Sequence, residues 1–215
     1  MVIDHLFFIS HNMGAEAEAW TASGWKEGSR RTHTGQGTAN RKFYVQNCFF
    51  EFLWIDDPVV FQSSKIQATG LPNRFSQSEE LGSNLGLCIE NNAETQALFA
   101  QARSYQPAYF PEGQAIRIIA DPVYPDLPWL FCLPFPRKRY LGIEPMDHPN
   151  GIEKLTSVQL GVTAETLSSP VVAELNRLRG LECLDSKDIT TKLIFDNRRQ
   201  GKSKQFESLR LVIEY

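Results

Sequence analysis

Between Val2 and Asp56 the hydrophobic period switches from two to about 3.6 and back, and this limits the fold more than any other feature. Val2 to Ser10 (VIDHLFFIS) alternates as a β-branched and aromatic strand. Gly14 to Gly24 is Ala-rich, carries Trp20 and stops at glycine, which predicts a helix. A strand is expected between Trp25 and Thr34. Arg41 to Asn47 and Cys48 to Asp56 read as two more around a tight turn at Gln46-Asn47. The order β-α-β-β-β is complete by residue 56.

Similar element orders begin again at Asn84–Glu90 and at Leu155–Thr163. In the second, Ala93 to Tyr105 has helical spacing, and Ala115–Ala120 and Trp129–Leu133 read as strands. In the third, Pro170 marks a helix start before Val171–Leu178, and Leu193–Phe195 and Ser208–Glu214 read as strands. The expected organisation is a first βαβββ module over 1–57, a linker over 58–82 and a second module over 83–137. A linker over 138–152 and a third, incomplete module over 153–215 follow, all in one compact α+β unit. The linker before Gly82 is polar and Ser/Gln-rich, a long connection with room for a short helix, and the one after Leu133 is Pro-rich, so an irregular excursion is expected there.

With 25 acidic and 22 basic side chains, net charge −3, the chain lacks the basic face that nucleic-acid binding needs. Basic clusters at Arg137–Arg139 and Arg198–Lys204 fit solvated turns. No apolar stretch approaches the roughly 20 residues that span a bilayer. The four cysteines are widely spaced with no CxxC pair. Core thiols in a reducing, cytoplasmic compartment are expected, with neither membrane nor nucleic acid as partner.

Two polar residues stand alone on apolar strand faces. His5 shares a face with Ile3, Phe7 and Ile9, and Glu51 shares one with Phe49, Leu53 and Ile55. If the two strands lie side by side, imidazole and carboxylate converge on one concave surface. That pair suits a divalent ion (Zn, Fe, Mn or Ni) or a general base at low dielectric. A satisfied core histidine and an ion-paired glutamate are the structural alternatives. In Arg30–Arg41 (RRTHTGQGTANR), Gly35 and Gly37 permit close backbone approach, while His33, Thr38, Asn40 and Arg41 offer polar groups. The glycine spacing fits no phosphate loop. His148 lies in turn chemistry (DHPNG), and a further contribution to the pocket is open to it. No nucleophile elbow occurs.

The runs IDHLFFIS and HTGQGTANRKFYVQNCFFEFLWI, with HPNGIEKLTSVQLGV later, resemble glyoxalase-like members of the vicinal oxygen chelate superfamily. The resemblance implies paired βαβββ modules whose sheets curl into a half-barrel around a central cavity, often with a metal. It implies His5 and Glu51 as metal ligands and catalytic residues. The partner module's equivalents fall near Asn84 and in Trp129–Leu133, where good ligands are missing, so His33, His148 or Glu214 would have to complete a set. Two functions stay open. One is a lyase, isomerase or dioxygenase that binds vicinal oxygens of a small molecule through metal or polar groups. There Asn40 and Arg41 orient the substrate, and Phe7, Phe49 and Leu53 line its pocket. The other is a metal-free module that binds or sequesters a small molecule. A homodimer is compatible with either, and a degenerate module with a filled cavity is a third possibility.

Overall fold

The computed structural model describes residues 2–79, 82–119, 124–136 and 142–215. In the first module, β1 (Ile3–Ile9), α1 (Glu16–Ala22), β2 (Arg30–His33), β3 (Thr38–Val45) and β4 (Cys48–Ile55) follow the expected order. The second contributes β5 (Leu85–Ile89), β6 (Arg103–Tyr105), β7 (Ile116–Ile119) and β8 (Trp129–Cys132). One eight-stranded sheet results, in the order β2-β3-β4-β1-β5-β8-β7-β6. Within each module the first strand pairs with the last in parallel, and β1 and β5 join the modules antiparallel. The curled sheet is not a closed barrel.

The helix expected over Ala93–Tyr105 is absent. Bonds such as Thr95 N to Asn92 O, Ala100 N to Ala97 O and Ala102 N to Phe99 O are of the i→i−3 kind, and they make successive turns. Thr95 Oγ1 donates to the Glu90 carbonyl (2.7 Å) and accepts from Asn92 N (3.0 Å), drawing the backbone away from α geometry. Tyr105 belongs to β6 instead.

Residues 58–79 hold three short helices, α2 (Pro58–Phe61), α3 (Ser64–Gln67) and α4 (Leu71–Glu79). Asp57 caps the first, accepting from Val59 N and Val60 N, with Pro58 in the first turn. Phe61, Ile66, Leu71 and Phe75 pack into the concave face with Phe7, Ile9 and Leu53, so this polar-looking connection plugs one end of the curl. Gly37, at φ +74°, makes its close approach here: a Cβ would lie 2.5 Å from the Asp57 carbonyl.

The third unit builds its own sheet. It contains β9 (Leu155–Val162), α5 (Ala164–Leu167), α6 (Pro170–Leu175), β10 (Leu181–Asp185), β11 (Thr191–Phe195), β12 (Ser203–Phe206) and β13 (Leu211–Glu214). Its order, β10-β9-β11-β13-β12, departs from the module pattern, because β9 neighbours β10 in parallel. Its apolar face joins the core on the convex side of the large sheet, where Phe195 meets Trp25 and Phe50, and Phe206 meets Trp20. Asn47 exchanges two hydrogen bonds with the Leu155 backbone (2.8 and 3.0 Å). Asp126 accepts from Thr163 N and Thr166 Oγ1 at the start of α5. The large sheet is covered on both faces, which explains why all seven residues of β1 are buried. No described helix is long and apolar enough to cross a membrane. The cluster Arg137–Arg139 lies outside the described residues. Arg198 bonds to Glu214 (2.5 Å).

Arg41 pairs with Phe52 and therefore faces α1. It donates to Glu27 through Nε (2.9 Å) and Nη2, to Glu18 (2.6 Å) and to the Gly14 carbonyl (3.3 Å). Burial alone would raise the Glu27 carboxyl, but hydrogen bonds from Arg41 and Arg30 outweigh it and hold it below its usual 4.5. A depressed carboxyl stabilises the fold above its unfolded pKa, and that stability fades as pH falls through the folded value. Glu27→Gln is therefore expected to cost about 1–3 kcal/mol near pH 7. It should also flatten the fall in melting temperature below pH 4.5. Parallel wild-type and variant profiles between pH 6 and pH 3 would contradict this.

Candidate functional site

The β1–β4 register sets His5 opposite Phe49, Phe7 opposite Glu51 and Ile9 opposite Leu53, so these side chains share the concave face. They enclose a cavity of about 340 Å³ that His5, Glu51, Phe7, Phe49, Leu53 and His33 all line. Trp129 and Phe131 of β8 form the opposite wall, and Tyr109 and Phe110, from the β6–β7 connection, close over it.

A β-bulge completes the histidine. The β1–β5 register shifts between Ile3 and His5, so Asp4 escapes strict alternation and also lines the cavity. His5 Nδ1 donates to Asp4 Oδ1 at 2.6 Å, both residues being buried. In the neutral ring this leaves Nε2 as the proton acceptor. Phe49 stacks on the imidazole at 4.4 Å and Phe131 meets it edge-on at 5.3 Å, which restricts its tilt.

Glu51 is 8% exposed. It makes no hydrogen bond or ion pair of 4.0 Å or less with the described residues. Lys42 stands opposite it in the β3–β4 ladder and also lines the cavity. Burial lowers the Lys42 ammonium from its usual value, while Glu51 and Glu144 oppose that shift. His33 is held by Thr38, Nδ1 to Oγ1 at 2.9 Å, and Gln36 donates to the same hydroxyl. Burial holds His33 below its usual 6.5; Glu51 opposes this, while Arg31 and Lys42 reinforce it.

The other expected residues sit elsewhere. Thr38 and Asn40 share the concave face but are not part of the lining, and the buried Asn40 amide has no hydrogen-bond partner among the described residues. Arg41, expected beside Asn40 as a substrate ligand, faces the opposite way because strand neighbours alternate, and it is held by Glu27 and Glu18. His148 is buried away from the cavity, with Nε2 on the Tyr44 carbonyl (2.7 Å) and Nδ1 accepting from Lys26 N (3.1 Å). Glu214 belongs to the small sheet, paired with Lys192 (3.0 Å) and Arg198. Asp4, Arg31, Lys42 and Tyr109 are additions. Alternation hides Asp4, whereas the two-residue spacing of Arg31 from His33 was a usable signal.

Second-module equivalents follow from register. His5 stands opposite Phe49 as Gly86 stands opposite Trp129, and Phe7 opposite Glu51 as Cys88 opposite Phe131. The counterparts of His5 and Glu51 are therefore Gly86 and Phe131, which offer no side-chain ligand. The Phe7 ring occupies the space beside Gly86: a Cβ there would lie 2.0 Å from it. Gly86→Ala should displace that ring, cost about 1–3 kcal/mol by overpacking and constrict the cavity. Unchanged melting with unchanged ligand binding would refute this.

Donor chemistry decides how a metal would fit. Asp4, His5 and Cys88 form a buried cluster with donor atoms within 4.8 Å of one another; neither Glu51 nor His33 belongs to it. Within the cluster, His5 and Asp4 already satisfy each other at 2.6 Å. Burial raises the Cys88 thiol well above its usual value, keeping it protonated. His5 and Glu51 alone fall short of the three or more protein ligands of a resident site. The two-module ligand set therefore does not fit.

A family model described as a glyoxalase-like domain matches residues 3–176. A hypothetical protein from Staphylococcus aureus has a similar fold, with TM-score 0.60 at 11% identity over 99% of this chain and 98% of that one. A xylose isomerase-like TIM barrel/4-hydroxyphenylpyruvate dioxygenase fusion protein gives TM-score 0.48 at 12% identity, over 90% of this chain and 36% of that one. No curated protein sequence matches the chain.

Proposed function

The chain belongs to the glyoxalase-like domain family of the vicinal oxygen chelate superfamily, and from that premise we propose that it is a small-molecule enzyme of lyase or isomerase type. Its substrate carries neighbouring oxygens, and a proton next to them is moved inside the cavity. The observation that carries this reading is the pairing of a carboxylate-oriented imidazole, Asp4–His5, with Glu51, which has no hydrogen bond among the described residues, on one concave face. Glu51 takes the proton: it shares the concave face with His5, and no hydrogen bond among the described residues competes for its oxygens. The electron pair passes to one substrate oxygen; His5, its tautomer fixed by Asp4, accepts through Nε2 the proton of the neighbouring hydroxyl and delivers it to that oxygen, while Glu51 returns its proton to carbon. Phe7, Phe49 and Leu53 exclude water. A dioxygenase would need a redox metal, for which the donor set is too small.

The Gly86 and Phe131 positions favour a second reading, a metal-free binding or sequestering protein. The buried thiols support a reducing, cytoplasmic location. The experiment that separates the readings incubates the protein in D₂O with pooled 2-oxo acids, 2-hydroxy acids and catechols, followed by mass spectrometry. An enzyme converts a compound or loads it with deuterium; a compound retained unaltered makes the protein a binder. In metal analysis after chelator-free purification we expect sub-stoichiometric transition metal. A full equivalent lost in His5→Ala would reverse that conclusion.

A further inference from the structure

We infer that the cavity takes an organic anion with an aromatic body, its carboxylate-type group held between Arg31 and Lys42 and its ring against Trp129 and Phe131. This rests on the small-molecule site proposed above and names its ligand class. Arg31 pairs with Asn40 across the β2–β3 ladder, so Arg31 and Lys42 are diagonal neighbours on the concave face. Both line the cavity. Arg30, Arg41, Arg177 and Arg198 each have a carboxylate partner. Neither Arg31 nor Lys42 has one within 4.0 Å among the described residues.

The cavity's two carboxylates do not neutralise this pair. Asp4 is committed to His5. Glu51 stands opposite Lys42 and Glu144 acts on Lys42 from outside the cavity lining, but among the described residues neither comes within 4.0 Å of Lys42 or Arg31. The like charges act on each other, since Arg31 contributes to lowering the Lys42 ammonium. An incoming anion relieves that repulsion in a partly desolvated setting, where Coulomb interactions are stronger than in water. Tyr109 holds the guanidinium by its face, with Arg31 Cζ 5.0 Å from the ring centroid. The planar fork is then presented for two-point recognition of a carboxylate. Trp129 and Phe131, at 4.8 Å from each other, supply the aromatic wall.

The test compares 2-naphthoate with its neutral isostere 2-naphthamide by calorimetric titration. In the wild type the carboxylate is expected to bind about tenfold tighter or better, one charge-assisted contact's worth. Arg31→Gln and Lys42→Met should each erase about tenfold of naphthoate affinity and leave naphthamide within about twofold. Glu51→Gln, which removes the neighbouring negative charge, should tighten naphthoate. Equal binding of the two probes by the wild type, or an anion preference that survives the double variant, overturns the inference while leaving a small-molecule site intact. If neither probe binds, the small-molecule reading itself fails and this inference with it.

Discussion

Replacing Glu51 with glutamine is expected to cut turnover by a factor of about 10²–10⁴, the usual worth of a positioned general base. The amide keeps the shape of the side chain and cannot accept the proton. Stability should move little, because the carboxylate makes no hydrogen bond among the described residues that the amide would lose. The measurement is turnover of whichever compound the D₂O screen identifies, alongside thermal melting of both proteins. Activity retained within about tenfold would remove Glu51 from the role of base. Lost activity with a collapsed melting temperature would make its part structural.

The largest effect on stability is expected from Trp20→Ala. Trp20 is fully buried on α1 and contacts Phe8, Trp25, Phe43, Phe50 and Phe52 of the first module and Phe206 of the third unit. Deleting it removes one of the two aromatic bridges that the described residues make between the convex face and the small sheet, leaving Phe195 against Trp25 and Phe50. The cavity left should cost about 3–5 kcal/mol, which for a chain of this size lowers the melting temperature by about 10 °C. Calorimetry checks a second consequence: because the third unit shares this core, a single transition should persist. A shift below about 3 °C would mean that the site collapses to fill the void. Two separated transitions would mean that the small sheet unfolds by itself.

Much of the first module is legible from local pattern. In VIDHLFFIS and CFFEFLWID, alternation places His5 and Glu51 on single faces, and the parallel register brings those faces together. Asn40 and Arg41 show where adjacency misleads. They look alike as polar neighbours after Gly37, but a period of two sends one to the cavity face and the other to α1. The turns at 93–102 mislead for another reason: helical spacing is present, but Thr95 gives its hydroxyl to the Glu90 backbone and holds the segment in tight turns. The Ser- and Gln-rich stretch after Asp57 reads as a long connection with room for one short helix; three form, and its four core residues are hidden because they are diluted among polar ones.

The sequence by itself determined the first module's element order, the isolation of one histidine and one glutamate on apolar strands, and the resemblance to the family. These depend on contacts between near neighbours in the chain, where periodicity and propensity act. Only the tertiary structure decided that a bulge turns Asp4 onto His5, that Gly86 and Phe131 stand where a second ligand pair would be, and that Arg31, Lys42 and Tyr109 meet at the mouth. Each of these depends on register between strands far apart in sequence. A shift of one residue moves every side chain to the other face, and the chain order does not encode that shift locally.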